Sequence, residues 1–439
     1  MEMVCYFCAD LFADRNATYK ILQMKLLLKS VTILDEKSTH HTKKLDIFID
    51  KGIIKKIGKN LKEKADKVIE IKNLHVSKGW FDSSVNFGEP GYEERETIAN
   101  GLDVAGKSGF SSVALNPYTN PILDHSGSIA AVKAKALNHP VYLHPIGALT
   151  KNSEGVDLAE LLDMKEAGAI SFGDYKAPLR NPNLLKIALQ YAQNFDALVQ
   201  SFPQENRIAG NGLVNENKNS TSLGLKGIPN LAEELQITRD LYLLEYTGGK
   251  LHIPTISTEK SVQLIKEAKK KGLDVSCSVA IHNLILDDDE LKEFDGNSKV
   301  LPPLRTKKDK KALIKGIKDG TIDMVTSDHN PIDIEHKKVE FDNALNGSIG
   351  LESAFGALCT LFDTEKAIQL LTNGKKRFNI PEYGIKEGET VELSLFVPGE
   401  TYNFTQNDII SSSKNSIFLN KKLKGKPVGV ITQKGFILK

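Results

Sequence analysis

The sequence predicts a mixed α/β chain: a (β/α)8 barrel of the TIM type carrying a small β-sandwich domain built from both chain ends. Three observations carry this expectation. Through the middle of the chain, eight short apolar strand patterns alternate with amphipathic helix patterns. At both ends, apolar residues instead recur at period two with glycine breaks, the mark of half-buried strands. The 439 residues, 40% hydrophobic and 26% charged, suffice for a large core.

The elements follow in order. Residues 1–23 read as an extension without a folded role, because Met24-Lys25-Leu26 opens a clear strand. Strand patterns then occupy 25–34, 45–49, 53–57 and 67–71, broken at Gly52 and Gly58. The far end mirrors them at 391–397, 417–419, 428–432 and 435–438. Chain termini often lie close together, so segments 24–77 and 385–439 are expected to form one sandwich, leaving 78–384 as the barrel. Its strands are expected at 80–85, 111–116, 141–145, 169–174, 197–201, 250–255, 274–281 and 322–328. Helix patterns lie between them at 93–105, 126–137, 158–167, 183–193, 232–245, 259–271 and 308–319. The connection over 282–307 is unusually long, and its Asp287-Asp288-Asp289-Glu290 run reads as a charged turn, since no calcium-loop spacing follows.

Bulk properties exclude several classes. A net charge of +2 gives no electrostatic case for nucleic acid. Lys307, Lys308, Lys310 and Lys311 read as a solvated helix face. No run of 18 apolar residues predicts a membrane span, and the first 23 residues lack a signal-peptide cleavage pattern. Cys277 and Cys359 sit in apolar surroundings, and Cys5 and Cys8 have no second pair to complete a zinc site. This cysteine usage fits a reducing compartment, and a cytoplasmic location is expected.

In such a barrel, chemistry concentrates where the strands end. Those ends hold Ser84 and Asn86, Tyr118, Asp174, Ser201 and Phe202, Thr255, His282, and Asp328. The histidines at 252 and 282 are read as satisfied by backbone carbonyls, and His329 as orienting Asp328 or capping a loop. A serine hydrolase using Ser84 or Ser201 with His282 and Asp328 lacks the Gly-x-Ser-x-Gly elbow.

One set of motifs goes further. Glu89-Pro90-Gly91 with Glu96-Thr97-Ile98, Asn116-Pro117-Tyr118-Thr119-Asn120-Pro121, and Leu223 to Pro229 with Ala232-Glu233 occur in that order. They are followed by Thr247-Gly248, His252 with Ser257-Thr258, Pro302-Pro303-Leu304-Arg305, Asp328-His329-Asn330-Pro331 and Gly350-Leu351-Glu352. In this order and spacing the chain resembles the dihydroorotases of the amidohydrolase superfamily, the type associated with aspartate transcarbamoylase, over residues 24–439.

The resemblance implies a zinc site that activates water to open a cyclic amide, with a carboxylate after the last strand as general acid or base. It also places the expected ligands on positions this chain has changed. Asp82-x-Ser84-x-Asn86 stands where Asp-x-His-x-His is expected, and the next two histidine positions fall on Phe202 and Thr255. The bridging carboxylate falls on Asp174, and the last aspartate is retained as Asp328. Hydroxyl and amide groups are poor zinc ligands, so no metal is expected. The substrate positions have changed too. Gly88 replaces an arginine, Tyr118 and Leu301 replace asparagines, and Ile332 replaces a histidine. None of these supplies the charge-assisted donors an anionic substrate needs.

The expectation is therefore a catalytically inactive, dihydroorotase-like protein, a pseudoenzyme of pyrimidine biosynthesis. Asp328 would be a remnant, with no cofactor and no catalytic or substrate-binding residues in use. An oligomer of identical chains is expected, with aspartate transcarbamoylase as a candidate partner. Two alternatives stand beside it. One is an active dihydroorotase or other cyclic-amide hydrolase with an altered, zinc-holding site. The other is a small-molecule binding module using a barrel mouth emptied of its metal and made apolar by Phe202, Leu301 and Ile332.

Overall fold

The computed structural model describes residues 24–439, so the expectations for 1–23, including Cys5 and Cys8, lie outside the described residues. Eight parallel strands form the barrel in chain order: Trp80–Val85, Phe110–Leu115, Tyr142–Gly147, Ser171–Phe172, Leu198–Gln200, Lys250–Ile253, Val275–Ala280 and Met324–Thr326. All eight fall within a residue or two of the predicted patterns. They are buried on both faces apart from the half-buried Tyr142, His144 and Lys250, as parallel strands covered by helices should be.

At the seam between the first and last strands, one side chain makes several of the closing contacts. The Asp82 carboxylate accepts hydrogen bonds from the Thr326 hydroxyl and from the backbone amides of Ser327 and Ser84. Just beyond it, Val85 bridges His329 and the Asn86 amide donates to the His329 carbonyl at 2.8 Å. Asp82 is thus the first residue of the altered motif and a staple of the barrel.

Strands from both ends of the chain share a second sheet. Its order is Gly435–Leu438, Lys422–Thr432, Glu392–Asn403, His75–Lys78, Leu26–Leu34, Lys44–Asp50, Ile53–Gly58, with Lys67–Ile69 also paired to the Leu26 strand. The N- and C-terminal segments meet where Ser77 pairs with Ser394. Trp80, the single tryptophan, joins this sheet to the barrel. It stacks on Phe355 at 4.7 Å and donates its indole N–H to Ser77.

Some boundaries differ from the sequence expectation. Residues 417–419 are not a strand. Ile417 and Phe418 are buried in the barrel-side core, and the Ile417 amide is taken by the Ser348 hydroxyl. The first barrel helix begins at Ile98, capped by Thr97, and not at Glu93; its first amide is also held by Glu89. Helices Leu351–Leu361 and Thr364–Thr372 complete the outer layer. Two features are described as expected: Cys277 and Cys359 are buried, and no described helix is long and apolar enough to cross a membrane.

Candidate active site at the barrel mouth

The strand ends converge, and the positions at which the resemblance expects metal ligands are engaged otherwise. Ser84 accepts a hydrogen bond from Asn116 Nδ2 at 3.0 Å, and Asn86 donates Nδ2 to Asn330 Oδ1 at 3.1 Å. Both side chains are buried. Phe202 and Thr255 line the mouth, and the Thr255 amide donates to the Ser278 hydroxyl. No imidazole stands at any of the four positions.

The two retained carboxylates do not face one another as partners. Asp174 accepts from the amides of Leu149 at 2.9 Å and Thr150 at 3.1 Å, and from the Thr150 hydroxyl. Those bonds turn it toward the loop after the third strand. Burial pushes its carboxyl up, and the Thr150 and Leu149 donors pull it back. Asp328 receives the Lys176 ammonium at 2.9 Å and the Tyr175 hydroxyl at 3.3 Å. Burial raises its carboxyl as well, against the charge of Lys176. Asp328 is 2% exposed and Lys176 11%.

Lys176 therefore supplies, from the end of the fourth strand, the positive charge that a cation would otherwise bring to Asp328. A zinc ion at this carboxylate would meet that ammonium, with Ser84 and Asn86 already engaged. The donors present do not fit zinc, which requires imidazole, thiolate or free carboxylate ligands in tetrahedral array. Among the described residues, three acidic groups come close enough to share an ion only at Asp287, Asp288 and Asp289. These are already paired, to Lys310, to Asn215, and to Lys307 and Lys292 respectively.

The mouth is filled, which corrects the expectation of an emptied pocket. The cavity bounded by Ser84, Asp174, Tyr175, Lys176, Phe202 and Thr255 measures about 20 Å³. That is room for about one water molecule and for no cyclic amide. Leu301 and Ile332 do not contribute to it. Leu301 packs against Ala209, Ile228 and Ala232, while Ile332 is buried with its amide on Asn415 Oδ1. Tyr118 lies over the entrance between Tyr92 and Tyr175, with ring centroids 6.3 and 5.5 Å away. Gly88 has φ +68°, and a Cβ there would come within 2.3 Å of the Tyr92 carbonyl. The backbone at Gly88 admits no side chain without moving.

His252 and His329 have structural partners, while His282 lacks the backbone-carbonyl partner expected for it. His252 sits between the hydroxyls of Ser276 at 2.8 Å and Ser278 at 3.3 Å, and not against a backbone carbonyl. His329 Nδ1 accepts from the amides of Gly350 and Leu351, capping the helix that starts there. His282 is buried with no partner for Nε2, so no triad forms with Asp328. Arg305 binds Ser257, Asn215 and the Ile228 carbonyl, tying three loops together. Sequence reasoning missed the roles of Asn116, Asn330 and Glu233. Glu233 accepts from Ser257 and Thr258, and its place in the Ala232-Glu233 motif was the available signal.

Burial lowers His252 to about 3. A base with a depressed folded pKa stabilises the fold above its unfolded value, near 6.5, and loses that contribution as pH falls toward the folded one. Between pH 7 and pH 4.5 this amounts to about 2 kcal/mol for one histidine. His252→Gln is expected to remove that part of the acid sensitivity, read as the difference in urea-unfolding free energy between the two pH values. An unchanged difference would contradict a neutral, buried His252.

Comparison with known proteins agrees with this architecture. The family model for dihydro-orotase-like proteins matches residues 72–261. A dihydroorotase of Pelotomaculum thermopropionicum is 37% identical over 415 residues, covering 93% of this chain and 97% of its own. One from Ruminiclostridium cellulolyticum is 39% identical over 92% and 96%. The L-hydantoinase of Arthrobacter aurescens superposes with a TM-score of 0.80 at 20% identity, covering 95% and 98% of the two chains, which speaks to the fold. With relatives this similar over almost its whole described length, the chain belongs to the dihydroorotase family.

Proposed function

We propose that this dihydroorotase-family chain is a non-catalytic scaffold that keeps the family's frame and serves as a structural or regulatory partner of aspartate transcarbamoylase in the cytoplasm. The observation that carries the loss of catalysis is the Lys176 ammonium on Asp328 inside a cavity of about 20 Å³. A hydrolase of this type needs Asp328 free to move a proton and space for a ring beside it. Here the carboxylate is held by Lys176 and Tyr175, and the ring's place is taken by side chains. The partner is argued from the family resemblance alone.

The test is affinity purification of the tagged full chain from its own cells, together with dihydroorotate turnover by the purified protein. The expected result is co-purification of the transcarbamoylase and no turnover above the uncatalysed rate. Turnover that disappears in Asp328→Asn would overturn the inert reading. A transcarbamoylase that never associates, and is stable and active alone, would overturn the partnership.

A further inference from the structure

A far larger cavity lies at the other end of the barrel from the mouth. It is a cleft of about 730 Å³ where the sixth, seventh and eighth strands begin, at Lys250, Val275 and Met324. The mouth holds about 20 Å³. One wall of the cleft comes from the sandwich, at residues 34–37 and His41. The other comes from helix Thr364–Thr372 and the helical turn Gly374–Arg377 that follows it. His41 and Glu365 face one another from the two walls at 3.6 Å. A concave site of several hundred Å³ between two packed domains is the usual setting of a small-molecule ligand.

The lining selects a ligand class. Ile317, Ile322, Met324 and Ile368 give the cleft an aliphatic floor. No Phe, Tyr or Trp lines it, so a flat ring finds no aromatic platform. The carboxylates around it are mostly engaged. Asp274 is paired with Arg377, Asp323 with Lys269 and Glu382 with Lys78. Asp35 accepts from the backbone amides of Lys37 and Ile385. Three ammonium groups, by contrast, have no carboxylate partner among the described residues: Lys37 in the sandwich wall, and Lys366 and Lys376 in the barrel wall. Lys366 reaches only the Gln369 amide oxygen, at 2.9 Å. Arg377 Nε is buried in the same wall without an acceptor, and a guanidinium N–H can only donate. Unmatched donors of positive charge over an aliphatic floor suit a ligand with an anionic, acceptor-rich head and an aliphatic body.

We propose that the cleft between sandwich and barrel binds an organic anion with an aliphatic body, its acidic head held by Lys37, Lys366 and Lys376. The inference does not depend on whether the barrel mouth is inert, since the two sites lie at opposite ends of the strands. Octanoate is the probe, titrated calorimetrically into the full chain, with octylammonium as the same body of opposite charge and acetate as the head alone. Octanoate should bind with a Kd on the order of 1 mM or below. Octylammonium should not bind, and acetate should bind at least about tenfold more weakly than octanoate. Lys37→Gln/Lys366→Gln/Lys376→Gln should keep the thermal unfolding of the unliganded chain and weaken octanoate at least about tenfold. A crystal of the unaltered chain soaked in octanoate gives a second reading that needs no variant, with the carboxylate expected between Lys366 and Lys376. Absence of octanoate binding, equal binding of octylammonium, undiminished binding to the triple variant, or octanoate seated at the barrel mouth would each overturn the proposal.

Discussion

Lys176→Met is expected to destabilise the fold by about 3–5 kcal/mol, because it leaves the Asp328 carboxylate buried without its counter-charge. Methionine keeps the length of the side chain and removes only the ammonium, so lost packing contributes little. The effect should grow with pH. A buried carboxyl whose folded pKa is raised above its unfolded value holds its full stability below that unfolded value and loses it as pH rises through the folded one. Asp328 is already raised by burial with Lys176 in place, and removing the lysine raises it further. The double variant Lys176→Met/Asp328→Asn should recover much of the loss, since neither charge then remains. Urea unfolding at pH 5 and pH 8 checks this. A cost below about 1 kcal/mol, of the size of an exposed pair, would show that the ammonium is solvated and does not fill the site.

Asp82→Ala is expected to cost a similar amount, about 3–5 kcal/mol. It strands the Thr326 hydroxyl and the Ser327 and Ser84 amides at the barrel seam and opens a small void there. Asp82→Asn should cost less, because the amide oxygen can still accept from one side. Thermal unfolding of the two variants gives the ranking. Equal, small losses in both would show that the seam is held by the backbone contacts of Val85 and Asn86 with His329. The first motif residue thus has a structural task of its own, independent of what Ser84 and Asn86 do.

The barrel was legible because its strands are short apolar runs bounded by turn residues and largely buried on both faces. Helix Leu351–Leu361 was not. Its residues from Leu351 to Cys359 are all buried, so it shows no polar stripe to mark its period. The short run at 417–419 looked like a strand by propensity, but tertiary packing under the barrel-side loops overrides propensity there. At the mouth, the changed residue types at 84, 86, 202 and 255 could be read directly. What replaced the missing groups could not. Lys176 and Asp328 are 152 positions apart, and nothing local to either announces their contact. The filled mouth likewise depends on side-chain volumes from several strands, and the expected opening near Leu301 and Ile332 failed because those residues pack elsewhere.

Zinc content tests the central claim most directly. The chain is produced in zinc-supplemented medium, purified without chelators, and its metal measured by mass spectrometry. With Lys176 on Asp328 and no imidazole at the four ligand positions, zinc should remain far below one ion per chain, and Asp328→Asn should not change it. One or more tightly held zinc ions per chain, lost on Asp328→Asn, would contradict the account.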